Sequence, residues 1–119
     1  MTKPISRLAH GFTDYPYIAA VSIAPKVMGF EDEAKAVLMT RALTSTILVS
    51  SIFTRAEWGF LRLMPYKWHL ALDTLGGLMA VAAPWALGFS GNKKARNTFL
   101  LIGAFGLMAG LLSRDEEMS

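Results

Sequence analysis

The sequence predicts an all-α fold, a four-helix transmembrane bundle made of two tandem helical hairpins. The chain has 119 residues, of which 53% are hydrophobic, and its mean hydropathy of +0.37 is high for a soluble domain of this size. It contains four apolar stretches of 17 to 22 residues, close to the roughly 20 that cross a bilayer as a helix. Its second half also repeats its first half at a spacing of 59 residues.

The repeat is clearest around a proline box, where APKVMGF at 24–30 matches APWALGF at 83–89. Between 10–57 and 69–116, 11 of 48 aligned residues are identical, whereas composition alone gives roughly three. We interpret the chain as a single membrane domain, 1–119, with repeat 1 at about 10–57, an amphipathic linker at about 54–67 and repeat 2 at about 69–116. Because each repeat crosses the membrane twice, both copies start on the same side and have the same orientation. A pseudo-twofold axis along the membrane normal is then expected to relate them.

The four spans are expected at about 12–30, 36–53, 68–89 and 97–113. The first is the weakest, because Asp14 and Lys26 lie near its ends, and Arg41 interrupts the second. The fourth is apolar on all sides. A soluble four-helix bundle would keep a polar stripe on each helix, so this stretch favours the membrane reading.

The connections also follow a pattern. Short polar turns come after Gly29 and Gly88, which are expected to end the first and third helices. The linker is expected to lie along the membrane surface. On the side of the membrane where the linker lies, an aromatic belt is expected from five residues, Tyr15, Tyr17, Trp58, Tyr66 and Trp68. Basic residues are almost evenly divided between the two sides, so the membrane orientation stays open.

Several classes of function are excluded by composition. The chain has no cysteine, and its net charge of +3 is scattered, so neither a thiolate site nor nucleic-acid binding is expected. It carries no Gly-rich phosphate loop, nucleophile triad or metalloprotease box. We therefore expect no enzyme, no catalytic residues and no cofactor.

The doubled unit, with a proline box closing one span and Gly-Phe before a polar turn, resembles the bacterial SPW-repeat integral membrane proteins. That family is named after a Ser-Pro-Trp box and has two transmembrane helices per repeat. Here the box reads Ala83-Pro84-Trp85 in the second copy and Ala24-Pro25-Lys26 in the first. The resemblance implies a fold and a multi-pass location in the bacterial cytoplasmic (inner) membrane, with no catalytic residues to carry over.

Structural roles are expected for the residues of the box and for the small residues of the later spans. Pro25 and Pro84 are expected to tilt the last helical turn, and Trp85 with Phe89 is expected to anchor the chain at the interface. Small residues allow helices to approach closely in lipid. Those that we expect at helix contacts are Gly76, Ala80, Gly103, Gly106 and Gly110.

The most distinctive polar feature is a repeated pair, His10 with Asp14 and His69 with Asp73. A spacing of four residues places both side chains on one face of a helix. The simplest interpretation is local pairing within each helix, with Arg55 or Arg114 as a neutralising neighbour. The alternative is that the pseudo-twofold axis brings both pairs together, to hold a divalent metal, relay protons or ligate a haem iron.

The favoured function is structural or accessory. Few polar groups converge within the spans, and a chain of this length has little interior room for a substrate. The expected partners are the lipid bilayer and either further copies of the chain or other membrane-protein subunits. The alternatives left open are a small transporter or channel for an ion or solute, and a His-dependent metal- or haem-binding membrane protein.

Overall fold

The computed structural model describes residues 3–117 of the chain. They form four helices, α1 (Arg7–Val27), α2 (Ala34–Phe53), α3 (Tyr66–Ala86) and α4 (Lys93–Leu112). Within the described residues no β-strand forms, and two isolated bridges are the sole extended pairings. The predicted all-α bundle of two tandem helical hairpins is confirmed.

The two halves are built alike. Both helices of the second half begin and end 59 residues after their counterparts in the first. The two bridges, Ile5 with Ser113 and Thr54 with Met64, are related by the same spacing with the partners exchanged. Each half thus contributes one strand-like residue to each bridge, as a twofold relation between the halves requires.

The ends of α1 differ from the expected span because caps, not hydropathy, set them. The Ser6 side chain accepts a hydrogen bond from the Ala9 amide, so α1 begins at Arg7 and includes His10. At the other end Gly29 has a φ of +79°, and the Phe30 amide donates to the Pro25 carbonyl at 2.8 Å. This left-handed cap explains why α1 ends two residues before the glycine.

The same cap ends α3. Gly88 has a φ of +81°, and the Phe89 amide donates to the Pro84 carbonyl at 2.8 Å. Pro25 and Pro84 lie in the last turns of their helices, and both are buried. The helix stops expected at the two glycines are therefore observed.

The helices of the second hairpin approach each other most closely, through glycines. A Cβ atom on Gly77 would lie 2.8 Å from the Leu107 amide nitrogen, and one on Gly103 would lie 2.7 Å from the Gly77 carbonyl oxygen. Gly106 and Gly110 lie on the same contact. Gly76, expected in such a contact, instead faces Leu43 of α2, and its neighbour Gly77 makes the close approach.

The apolar core lies toward the ends of the helices that carry the short turns. Phe30, Phe89 and Phe99 are almost fully buried there, packed with small residues such as Ala80. The expectation that Phe89 anchors the interface is wrong, because its ring packs against that of Phe99 at a centroid distance of 5.1 Å. Trp85 is 58% exposed and keeps the outward position that an anchor needs.

Two helices, α2 and α4, are long and apolar enough to cross a membrane. In the most apolar 18 residues of α2 and of α4, 28% and 44% are buried inside the protein, so much of their apolar surface faces outward. The two other helices are as long, but they carry His10, Asp14, His69 and Asp73. These polar side chains point inward, which lowers helix hydropathy without placing charge on the outer surface.

Candidate functional site

Four ionisable side chains meet between α1 and α3. His10 and Asp14 lie one turn apart on α1, and His69 and Asp73 lie one turn apart on α3. Each of the four is 6% exposed or less. The donor atoms all lie within 4.8 Å of one another. We call this group the His/Asp cluster.

Within the cluster, the shortest contacts cross between the repeats. His10 Nε2 lies 2.7 Å from Asp73 Oδ2, and His69 Nε2 lies 2.6 Å from Asp14 Oδ2. The contacts inside each helix are longer, at 3.0 Å and 3.2 Å. Local pairing therefore describes the weaker half of the arrangement. The four atoms form a closed ring in which nitrogen and oxygen alternate. The second expectation, that both pairs converge, is the one observed.

In each imidazole, the Nδ1 atom, which faces away from the carboxylates, contacts hydroxyl groups. His10 Nδ1 lies 2.7 Å from Ser113 Oγ. His69 Nδ1 lies 3.1 Å from Thr54 Oγ1 and 3.3 Å from Ser50 Oγ. Thr54 and Ser113 are 59 residues apart, so the two halves use equivalent positions.

The hydroxyl contacts determine which imidazole nitrogen carries hydrogen. Thr54 donates its own hydroxyl proton to the Ser50 carbonyl. Toward His69 Nδ1 the Thr54 oxygen must therefore accept, so Nδ1 carries a hydrogen. This arrangement turns Nε2 of His69 toward the carboxylates of the His/Asp cluster.

Aromatic rings close the His/Asp cluster on one side. The Trp58 ring lies 6.0 Å from His10 and 5.0 Å from His69, and the Tyr66 ring stacks on His69 at 6.3 Å. Trp58 also donates from Nε1 to the Arg7 carbonyl at 2.7 Å. Gly11 makes this possible, because any Cβ atom there would overlap the indole ring.

The linker is an irregular loop that folds over the His/Asp cluster. Ala56 and Thr54 are fully buried, while Glu57 pairs with Arg7 at the start of α1. The outer side of the loop is apolar, since Phe60 and Leu63 are 77% and 73% exposed.

The aromatic belt expected around the linker is wrong for Tyr66, which is fully buried. Trp58 and Tyr66 pack on the histidines, and the Tyr17 hydroxyl donates to the Ile102 carbonyl at 2.9 Å. Trp68 is 59% exposed, and Tyr15 donates to the Trp58 carbonyl. Aromatic rings at a sequence position near the interface can equally well cover a buried polar cluster.

Two further groups near the His/Asp cluster are Arg114, which was expected to neutralise the carboxylates, and the Tyr66 hydroxyl. Arg114 donates from Nε to the Lys3 carbonyl at 2.7 Å, away from the carboxylates. Arg41 lines a polar hollow with Lys26 and Glu31 near the short turn. The buried Tyr66 hydroxyl lies beside Ser113 and makes no hydrogen bond of normal geometry within the described part of the chain.

A cavity of about 140 Å³ reaches the carboxylates from between α2 and α3. Asp14 and Asp73 are among the residues that line it, together with Leu43, Gly76 and Met79. The residue equivalent to Gly76 in the first half is Tyr17, whose hydroxyl bridges α1 to α4. Loss of a large side chain at one of two equivalent positions thus leaves open space beside the His/Asp cluster on one side of the bundle.

The sequence identified the four cluster residues but missed those that hold them. Thr54 and Ser113 could have been found from the 59-residue spacing, because they align as two hydroxyl residues next to aligned arginines. Trp58 gave no such signal, since its counterpart is Glu117. Glu117 takes an equivalent place by accepting hydrogen bonds from the Tyr66 and Lys67 amides.

The model of the SPW repeat domain matches residues 10–113 of the chain. This match covers both hairpins and all four members of the His/Asp cluster. Comparison with curated proteins and with solved structures gives no match. The chain belongs to the SPW repeat family and is a small membrane protein.

Proposed function

We propose that this chain is a multi-pass protein of the bacterial cytoplasmic membrane with a structural or accessory role, assembling with itself or with other membrane subunits. All four helices cross the bilayer in this proposal. The observation that carries it is the contrast between a polar interior that is paired within the chain and an outer surface that is apolar. Lipid or partner helices are what such a surface contacts. The proposal assigns no catalysed reaction.

The surface that best fits a partner helix is a groove between α1 and α4. These two helices contact each other little, and the space between them is about 660 Å³. Its walls are apolar and include Phe12, Pro16, Ala20, Ile23, Leu101 and Phe105. A transmembrane helix with small residues on one face would fill this groove and bury apolar surface on both sides.

The test is chemical cross-linking in native membranes, followed by purification in mild detergent and mass measurement of intact complexes. We expect an oligomer or a stable complex with another membrane protein. Ala20→Phe, which fills the groove, should weaken the complex, whereas Ala71→Phe on an exposed part of α3 should leave it intact. A lone monomer in both membrane and detergent would contradict the proposal.

A second candidate function is a small transporter or channel, and the cavity that reaches Asp14 and Asp73 is the observation that favours it. Buried carboxylates within a span often mark an ion or proton path. Flux into proteoliposomes should then depend on Asp14, Asp73 or Arg41. Gly76→Tyr, which copies the equivalent residue of the first half, should stop the flux by filling the cavity. Flux that is equal in wild type, Asp73→Asn and Gly76→Tyr would exclude this candidate.

Haem ligation, by contrast, does not fit the geometry. Both Nε2 atoms contact both carboxylates, and the imidazole ring centroids are 5.2 Å apart. A porphyrin between the two imidazoles would have to displace Asp14 and Asp73 together.

A further inference from the structure

We propose that the His/Asp cluster is a binding site for one divalent transition-metal ion, with His10, Asp14, His69 and Asp73 as its ligands. This inference goes beyond a structural or accessory role and does not depend on it. Two imidazole nitrogens and two carboxylate oxygens are a donor set that Zn²⁺ and related ions accept.

The spacing of the donors fits a four-coordinate ion. The four nitrogen–oxygen distances around the cluster are 2.6, 2.7, 3.0 and 3.2 Å. Tetrahedral zinc, with bonds of about 2 Å, holds its ligand atoms about 3.3 Å apart. The donors are therefore close enough for one ion to reach all four, and side-chain rotation can bring them to tetrahedral spacing.

The imidazoles are also oriented as metal ligands are. The hydroxyls of Thr54 and Ser113 hold the Nδ1 atoms and direct Nε2 toward the centre. A hydrogen bond to the second ring nitrogen fixes the tautomer and the ring orientation of a metal-binding histidine. Both halves of the chain supply this support from equivalent positions.

Charge balance selects a divalent ion. Imidazoles bind metals as neutral groups and carboxylates bind them as anions, so the four ligands together carry two negative charges. One divalent cation neutralises them, as a buried site requires. A monovalent cation would leave a buried negative charge.

The cavity between α2 and α3 supplies a route to the site. Its lining includes Asp14 and Asp73, which are also the groups that attract a cation. On the opposite side, Trp58 and Tyr66 cover the two imidazoles. An ion that enters through the cavity thus meets a site from which the aromatic rings exclude water.

The experiment is zinc binding by the full chain, purified in detergent with a chelator and with an affinity tag that contains no histidine. After a zinc titration and desalting, the bound metal is measured by mass spectrometry, and X-ray absorption at the zinc edge reports the ligands. We expect one zinc per chain, with imidazole scattering from two histidines. Ser113→Ala should weaken binding by about 10- to 100-fold.

The decisive variant is Asp14→Asn with Asp73→Asn, which keeps side-chain volume and hydrogen bonding but removes both anionic ligands. It should lose stoichiometric zinc. The matched control is Asp32→Asn with Glu33→Gln, which removes two acidic groups from the α1–α2 turn and should bind zinc like wild type. If the decisive variant does not fold, as judged by circular dichroism, the absorption spectrum of wild type decides alone. Wild type without bound zinc, zinc retained by the folded decisive variant, or a wild-type spectrum without imidazole would overturn the inference.

Discussion

The four members of the His/Asp cluster act as one unit, because each histidine contacts both carboxylates. Buried charges of this kind contribute little when complete, but they are costly when one partner is missing. The cluster therefore gives the two halves a specific alignment, since each strong contact needs one residue from each repeat. Its contribution to stability is best tested by removing members singly and in pairs.

In metal-free protein, His10→Leu should lower the free energy of unfolding by about 3–5 kcal/mol, because it leaves a buried carboxylate without its nearest partner. The double variant His10→Leu with Asp73→Val removes a whole cross-repeat pair and should cost less than the single change. Unfolding in mixed detergent micelles, followed by circular dichroism, measures both values. If the loss in the double variant equals the losses of His10→Leu and Asp73→Val added together, the two side chains act independently.

A second residue-scale prediction concerns acid. Hydrogen bonds from Arg7 hold the pKa of Glu57 below its ordinary value of 4.5. Because the folded-state pKa is the lower one, the stabilising effect is complete above the ordinary value and is lost as the pH falls through the folded-state pKa. Acid should therefore release the linker from the start of α1, and with it Trp58.

Quenching of Trp58 fluorescence by acrylamide, in a Trp68→Phe/Trp85→Phe background, reports this release. We expect quenching to rise on the acid side in wild type. Glu57→Gln should be quenched strongly already at neutral pH, while Glu31→Gln on the opposite turn should follow wild type. Identical acid profiles in all three proteins would mean that the Arg7–Glu57 pair does not hold the loop.

At the scale of elements, hydropathy placed the four helices and glycines marked two of their ends. The start of α1 was missed, because Ser6 caps a polar first turn that hydropathy does not count. The sequence did not predict that the linker covers the His/Asp cluster, because the path of a loop depends on tertiary contacts such as those of Trp58. Amphipathic composition alone does not distinguish a loop on lipid from a loop on a polar cluster.

The contact between α3 and α4 gives a sharp test with adjacent residues. Gly77→Ala places a methyl group 2.8 Å from backbone nitrogen and 2.9 Å from backbone oxygen of α4, so we expect a loss of about 1–3 kcal/mol in unfolding free energy. Gly76→Ala meets only the flexible end of Leu43 at 3.7 Å. It should be neutral or stabilising by up to about 1 kcal/mol, because alanine favours helix more than glycine does.

The same unfolding titration in detergent micelles serves both variants. Two alanines of equal effect would mean that α3 and α4 separate enough to accept a side chain on either glycine. The difference between neighbouring positions therefore reports helix contact directly, because the two changes are chemically identical.

At the scale of the whole molecule, the duplication visible in the sequence predicted the twofold relation of the hairpins. Two features of the structure could not be predicted from the duplication. Equal spacing did not reveal that Gly76 and Tyr17, which occupy equivalent positions, make the two sides of the bundle unlike. The sequence also favoured local over cross-repeat pairing in the His/Asp cluster, whereas the shorter contacts cross between the repeats, because that choice depends on how closely α1 and α3 approach.

The most direct measurement is the sidedness of single cysteines, which the natural chain lacks. Asp32→Cys and Gly91→Cys lie in the two short turns, while Leu61→Cys and Asp115→Cys lie in the linker and after α4. In sealed membrane vesicles, a membrane-impermeant maleimide should label the two turn positions from one side and the two other positions from the opposite side. Turn positions that label from opposite sides, or all four from one side, would contradict a duplicated hairpin that spans the membrane.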